Sequence, residues 1–190
     1  SPDAIGRMSC NPAIGGLSKG NLVRELDALG GQMAHIIDGC TIQWRLLNRS
    51  RGPAVQAPRA QADKARYAEL ARKAVEEQSG LCVFMDTVTD ILTDAAGARV
   101  AGVVTARGNR ISARTVVIAT GTFLEGTVYI GSWKAREGRL GEEAALGLGS
   151  ALRARGFPMG RMKTGTPARI KAGSVDLQAL EEHRGEPDAF

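Results

Sequence analysis

The sequence predicts a mixed α/β fold, part of a Rossmann-like sheet domain with a β-meander inserted into it, and three stretches carry that expectation. Residues 60–77 place Tyr67, Leu70, Ala71, Ala74 and Val75 at helical spacing on one face, with Lys64, Arg66, Arg72 and Glu76 off it. Residues 81–106 then read as short strands separated by turn signals. Residues 115–120 (Thr-Val-Val-Ile-Ala-Thr) form a continuous apolar run of the kind buried on both faces of a parallel sheet, leading straight into Gly121-Thr122-Phe123.

In chain order, the first ten residues hold no candidate for a first core strand, and the chain reads as a fragment that opens mid-domain. Ser9-Cys10-Asn11-Pro12-Ala13-Ile14-Gly15-Gly16 reads as a loop: Asn-Pro makes the turn, and paired glycines let the backbone approach a bound group closely. Lys19 and a helix start follow, directing positive charge and free N–H groups at one spot. Two readings fit this loop. It is a cofactor- or anion-facing loop carrying a nucleophilic thiol, or a tight turn with a packed cysteine. Residues 20–37 carry Leu22, Leu26, Leu29, Met33, Ile36 and Ile37 at helical spacing, broken at Gly30-Gly31, so one strained helix or two short ones are expected.

Residues 41–47 are a short extended or irregular segment, and 48–58 a loop containing Arg51-Gly52-Pro53 and Ala57-Pro58. The helix over 60–77 stops at Gly80. Strands are expected over 81–85, 88–93 and 99–106, with turns at 94–97 and at Gly108-Asn109. Residues 126–141 read as a glycine- and charge-rich loop with one strand over 127–130, and 142–155 as a helix stopped by Gly156-Phe157-Pro158. Arg161-Met162-Lys163-Thr164-Gly165-Thr166-Pro167 leads into an acidic, unpatterned end. The expected division is 1–150, a partial sheet domain lacking its first βαβ unit, and 151–190, the start of a following or inserted domain.

With 190 residues the chain can bury one substantial core, and 43% hydrophobic residues set disorder aside. Aromatics are only 4%, so a nucleic-acid surface would rest on basic groups rather than on stacking. Cys10, Cys40 and Cys82 make neither a metal signature nor a disulfide framework, which points to a reducing, cytoplasmic setting. Cys40 and Cys82 read as packed thiols, and neither His35 nor His183 has a companion for acid–base or metal chemistry. No apolar run approaches the roughly 20 residues of a membrane span, and no signal peptide opens the chain.

The formal charge of +5 is segregated. Residues 41–73 hold eight basic side chains (Arg45, Arg49, Arg51, Arg59, Lys64, Arg66, Arg72, Lys73) against Asp63 and Glu69, and residues 153–171 hold six and no acid. The remainder is net acidic. Such segregation suits a phosphate backbone, where each neutralised phosphate releases counterions; the alternative is a pair of solvated faces.

A buried strand followed by Ala-Thr-Gly puts backbone N–H groups at the carboxyl edge of a sheet, where α/β folds bind ligands. A meander inserted before that strand is typical, by analogy of fold, of two-dinucleotide-binding flavoproteins of the glutathione-reductase type, which bind FAD; a generic strand-to-loop turn is the alternative. No Gly-x-Gly-x-x-Gly lies on a strand-to-helix turn. Either the chain binds no dinucleotide, or that unit precedes Ser1.

The motifs together are specific enough to place the chain by resemblance. Met8-Ser9-Cys10-Asn11-Pro12-Ala13-Ile14-Gly15-Gly16, Lys19-Gly20, Glu25-x-Asp27-Ala28-Leu29-Gly30-Gly31, Gly52-Pro53-Ala54-Val55, Arg59-Ala60-Gln61-Ala62-Asp63, Gly121-Thr122-Phe123-Leu124, Gly138-Arg139 and Arg161-x-Lys163-Thr164-Gly165-Thr166-Pro167 closely resemble, in order and over nearly the whole chain, the MnmG/GidA family. These are the FAD-dependent subunits that modify the wobble uridine of tRNA.

The resemblance implies part of a larger homodimeric enzyme that works with a GTPase partner of the MnmE type. It installs a carboxymethylaminomethyl or aminomethyl group on uridine carbon 5, using FAD, NADH and a methylene-tetrahydrofolate carbon. Cys10 matches a cysteine considered catalytic in the family. Asn11, Gly15, Gly16, Val88, Thr120, Gly121 and Ala145 are the expected flavin contacts, and Arg51, Arg59, Arg66, Arg161 and Lys163 the expected tRNA contacts; no metal ligand is expected. Two departures stand out. The family's flavin-contacting serine falls on Ala145, and Ala168 replaces a usual proline. The alternatives are a folate- and FAD-dependent tRNA uridine-5 methyltransferase, which shares the flavin fold, and a tRNA-binding fragment without activity of its own.

Overall fold

The computed structural model describes residues 1–187, which form two compact units: residues 1–83 with 164 onward, and residues 84–163. The helix that spans residue 150 belongs to the second unit, and the chain returns to the first at Thr164.

The first unit is built on a three-stranded antiparallel sheet in the order β1-β3-β2, with β1 Ala13–Gly15, β2 Thr41–Leu47 and β3 Ala57–Ala62. Helices α1 Lys19–Ala28, α2 Met33–Asp38 and α3 Lys64–Glu76 accompany it. The break between α1 and α2 falls at Gly30-Gly31, so the stripe over 20–37 resolves into two short helices. The Leu22 and Leu26 side chains on α1, and Leu29 just after it, are exposed, and Val23 is the α1 residue that packs against the core.

Residues 57–62, expected as a loop running into a helix, are instead the central strand. Toward its end the strand alternates: Ala60 and Ala62 are 2% exposed, while the half-buried Arg59 and Gln61 lie on the other face. Alanines satisfy a helical pattern as readily as a strand pattern, and Asp63 decides between them. Its carboxylate accepts from the N–H groups of Ala65 and Arg66, both at 3.0 Å, so α3 starts after it. Pro58, which cannot donate to a ladder, sits just past the end of β1. Ile14, Ile37, Cys40, Ala60, Ala62, Tyr67 and Ala71 form the core between sheet and helices, with Ile5, Met8, Val23, Ile36, Trp44 and Leu70 packed on it.

The second unit contains the expected meander, β4 Val88–Thr93, β5 Val100–Thr105 and β6 Arg110–Ser112, in sequential antiparallel order. Beyond it the expected loop over 126–141 is more ordered than its composition suggests. It forms the hairpin β7 Val128–Ile130 with β8 Trp133–Ala135, and the hairpin β9 Glu137–Arg139 with β10 Glu142–Glu143. The helix expected over 142–155 begins only at α4 Leu148–Ala154, after Gly147 in a left-handed conformation at φ 97°. Residues 142–145 pair as strand instead, Ala145 bridging in parallel to Leu124. Ile91, Leu148 and Leu152 form the small core, with Val88 and Leu124 against it.

The mixed α/β class stands, but two expected strands do not form. Residues 115–120 join no ladder among the described residues, and Val117 is 89% exposed. A parallel strand needs neighbours on both sides to satisfy its N–H and C=O groups, and none flanks this run. Residues 81–85 are likewise unpaired, and Cys82 is exposed rather than packed.

Candidate functional site

Cys10 lies on an exposed loop whose far end is pinned to the sheet. Asn11 turns the backbone, its carbonyl accepting from the Ala13 N–H at 2.8 Å, and the Pro12 carbonyl accepts from the Ala62 N–H at 2.7 Å. The strand β1 that follows pairs Ala13, Ile14 and Gly15 with Gln61, Ala60 and Arg59. The Gly15-Gly16 pair is required first by this docking. Gly15 has φ 107°, a Cβ on it would stand 2.2 Å from the Pro58 carbonyl oxygen, and the Gly16 N–H donates to that same oxygen at 3.0 Å. Over Gly16 the space is open, its nearest neighbour being a Leu47 methyl 3.9 Å from an added Cβ.

The segment carrying Lys163-Thr164-Gly165-Thr166-Pro167 returns to this loop. The Cys10 thiol donates to the Gly165 carbonyl at 3.5 Å, and Arg169 donates to the Ser9 carbonyl at 3.5 Å. Gly165 and Arg169 thus border the expected nucleophile from more than 150 positions away, a proximity no local pattern encodes.

One face of the sheet is polar. Across the ladder Arg59 stands opposite Gly15 on one side and Arg45 on the other, and Gln61 opposite Gln43. Directly opposed residues share a face, so Arg45 and Arg59 place two guanidinium groups side by side where β1 contributes no side chain. Arg45 was not singled out from sequence; with β3 read as loop and helix, its pairing was invisible. Among the described residues, no hydrogen bond or ion pair engages the side chain of Arg59 or of Arg51. Arg66 differs: on α3 it pairs with Glu69 at 2.8 Å.

The second unit gathers the other expected flavin contacts around one turn. Thr120 caps the short 3-10 turn Gly121–Phe123, and Gly121, at φ 56°, has nothing within 4 Å of an added Cβ. Ala145 lies beside this turn, its N–H donating to the Phe123 carbonyl at 2.9 Å and its own carbonyl accepting from Glu125 at 2.9 Å. Only its methyl group remains to meet a ligand. Val88 opens β4 opposite Thr105 and packs on the core that Leu124 also joins. Beneath the turn, Phe123 lies on Gly138, where a Cβ would stand 2.1 Å from the ring, and Arg139 lies over the ring at 5.0 Å.

Glu125, at φ 47°, ties the turn to α4. It pairs with Arg153 at 2.6 Å and accepts from the Ser150 hydroxyl at 3.1 Å; the Arg153 hydrogen bond holds its carboxyl below the usual range. Arg161 donates to the Glu125 backbone carbonyl at 3.0 Å, while Lys163 is exposed.

Cys40 is the inert thiol expected: it donates to the Ile36 carbonyl at 3.1 Å, and burial, followed by the Asp63 charge, pushes its pKa up. Among the described residues no group of His, Cys, Asp and Glu could hold a metal ion, and no helix is long and apolar enough to cross a membrane.

The profile of the family described as glucose inhibited division protein A matches residues 1–190. The chain is 59% identical, over 191 residues, to the tRNA uridine 5-carboxymethylaminomethyl modification enzyme MnmG of Treponema pallidum (strain Nichols), covering 97% of this chain and 30% of that protein. It is 55% identical over 186 residues to the enzyme of the same name from Borrelia garinii subsp. bavariensis, covering 98% and 30%. Among solved structures it resembles GidA of Aquifex aeolicus with a TM-score of 0.89 at 48% identity, covering 98% of this chain and 31% of that one. The chain therefore spans about a third of the length of the relatives it matches.

Proposed function

The chain belongs to the glucose inhibited division protein A family, and from that premise we propose that it is part of an FAD-dependent enzyme that adds a carboxymethylaminomethyl or aminomethyl group to carbon 5 of the tRNA wobble uridine. The observation that carries the proposal is the exposed Cys10 thiol, presented on a loop pinned by β3 and bordered by Gly165 and Arg169. An accessible thiolate can add to carbon 6 of a uracil ring; the C5=C6 π pair then moves to carbon 5, making it nucleophilic toward a one-carbon unit. The thiolate leaves when carbon 5 gives up its proton and the double bond re-forms.

FAD, when bound, supplies the redox chemistry, with NADH as reductant and a methylene-tetrahydrofolate carbon as donor. Open backbone for such a group lies, within the second unit, at Gly121, which follows Thr120, and, within the first, over Gly16. Val88 and the Ala145 methyl would add packing contacts. Residues 1–150 then contribute to the FAD-binding domain and 151–190 begin the domain that follows. Arg51, Arg59 and Lys163 would meet tRNA phosphates; Arg66 and Arg161 would do so less readily, Arg66 being paired with Glu69 and Arg161 having one nitrogen on the Glu125 carbonyl. The intact protein is proposed to act in the cytoplasm, as a homodimer with an MnmE-type GTPase.

In the intact enzyme, Cys10→Ser is expected to fold and retain flavin absorbance near about 450 nm while losing tRNA modification, measured by nucleoside analysis of the product. Normal turnover by that variant would remove Cys10 from the chemistry.

A further inference from the structure

Among the described residues the sheet order β1-β3-β2 leaves the outer edge of β2 without a partner strand, and residues 183–186 lie along it instead. The Glu186 N–H donates to the Trp44 carbonyl at 2.8 Å, and the Gln43 side chain donates to the His183 carbonyl at 2.8 Å. Gly185 permits the close approach, since a Cβ there would stand 3.1 Å from Gln43 and 3.3 Å from the Trp44 carbonyl oxygen. The Glu186 carboxylate receives the Arg49 guanidinium at 2.6 Å on one oxygen and the Leu46 N–H at 3.4 Å on the other. Arg45 donates to His183 Nδ1 at 2.7 Å. A cavity of about 430 Å³ runs between Thr41–Trp44 and residues 182–186.

A carboxylate held by one guanidinium and one backbone N–H uses the donor set that recognises a phosphodiester oxygen. The adjoining row is short of negative charge, because Arg45 stands opposite Arg59 and its contact here is a ring nitrogen rather than a carboxylate. We propose that Arg45 and Arg49 form an RNA phosphodiester-binding edge on β2, and that segment 181–186 is an acidic strap occupying this edge until RNA displaces it. The proposal rests on the tRNA-binding reading above and adds to it two residues and a competitor. Glu186 mimics the phosphate, and Glu181 adds negative charge beside it, while Glu182 is paired within the strap to Arg184 at 3.0 Å. RNA and strap exclude one another, so the strap lowers apparent affinity by the fraction of molecules in which it is closed.

The test uses the intact protein and an unmodified tRNA transcript carrying a wobble uridine. Glu186→Gln is expected to tighten binding by about 2- to 5-fold, and Glu182→Gln, which alters the same net charge without touching Arg49, by clearly less. Arg49→Gln is expected to weaken binding and flatten its salt dependence. In hydrogen exchange, the Glu186 amide should exchange faster when tRNA is bound. Equal effects of Glu186→Gln and Glu182→Gln, or an amide that exchanges no faster with tRNA, would overturn the strap while leaving tRNA binding intact. Failure of the unaltered protein to bind tRNA would overturn both the strap and the RNA reading.

Discussion

The two units use glycine and arginine in opposite ways. In the first, Gly15 brings backbone against backbone: β1 lies so close to Pro58 that only a residue without a side chain fits, and the Cys10 loop inherits its position from that contact. In the second, Gly138 brings backbone against the ring of Phe123, a contact a side chain can relax. The arginines diverge likewise. Arg153, Arg155 and Arg161 of the second unit are engaged with Glu125, Asp90 and the Glu125 carbonyl, whereas the exposed Arg51 and the half-buried Arg59 of the first have no side-chain partner among the described residues. A basic stretch in sequence is therefore two different things in space. Part of the run over 153–171 holds a helix in place, and the sheet face of the first unit holds charge available to a partner.

The largest test of this contrast is Gly15→Ala. The new Cβ would stand 2.2 Å from a backbone oxygen at φ 107°, combining backbone strain with an overlap that cannot rotate away. A loss of roughly 2–5 kcal/mol is expected, measured by denaturant unfolding, with faster labelling of Cys10 by a thiol reagent as its anchor loosens. Gly16→Ala, with nothing closer than 3.9 Å, should cost only its left-handed strain, roughly 1–2 kcal/mol. Equal losses at the two positions would mean that Pro58 does not set the loop.

Gly138→Ala should cost roughly 1–3 kcal/mol, because the ring of Phe123 can shift where the Pro58 carbonyl cannot. The double variant Gly138→Ala with Phe123→Leu should recover part of that loss, read as a coupling energy in a double-mutant cycle. Additive losses would show that the ring is not what fills the space above Gly138.

How much of this was legible in sequence depends on the range of the contacts involved. The meander was readable because Asp94 and Gly97, and Gly108 with Asn109, mark its turns locally. The break at Gly30-Gly31 was readable for the same reason. The central strand was not: Ala-Pro-Arg-Ala-Gln-Ala becomes a strand because β1 and β2 flank it, and alanine satisfies either periodicity. The error at residues 115–120 ran the other way. An apolar run signals burial correctly only when its neighbours are present, and no strand among the described residues lies beside Val117. At the site, Cys10 could be singled out by residue type and motif, but the approach of Gly165 and the alignment of Arg45 with Arg59 come from pairing distant segments.

A smaller effect is expected from Glu125 on acidification. Its carboxyl titrates below the ordinary carboxylate range because Arg153 donates to it, so its contribution to stability is present above the unfolded-state value and lost as pH falls through the lower folded value. Thermal unfolding followed from pH 7 downward should show a loss over that acidic window in the native protein. Glu125→Gln should reduce the slope there, with a difference of roughly 1 kcal/mol or less at neutral pH. An unchanged slope would mean that the Glu125–Arg153 pair does not hold α4 to the turn.

The smallest change in stability, and the sharpest division between the units, is expected from paired arginine variants. Arg59→Gln removes one of two like charges facing across the ladder, so its stability should shift by only a few tenths of a kcal/mol, in the stabilising direction. If Arg59 meets a phosphate in the intact protein, the slope of log affinity for tRNA against log salt should fall by about one. Arg161→Gln removes a hydrogen bond to the Glu125 carbonyl and is expected to lower stability by roughly 0.5–1.5 kcal/mol with little change in that slope. A slope change at Arg161 equal to that at Arg59 would erase the distinction, because it would mean that the Glu125 carbonyl does not keep this guanidinium from tRNA.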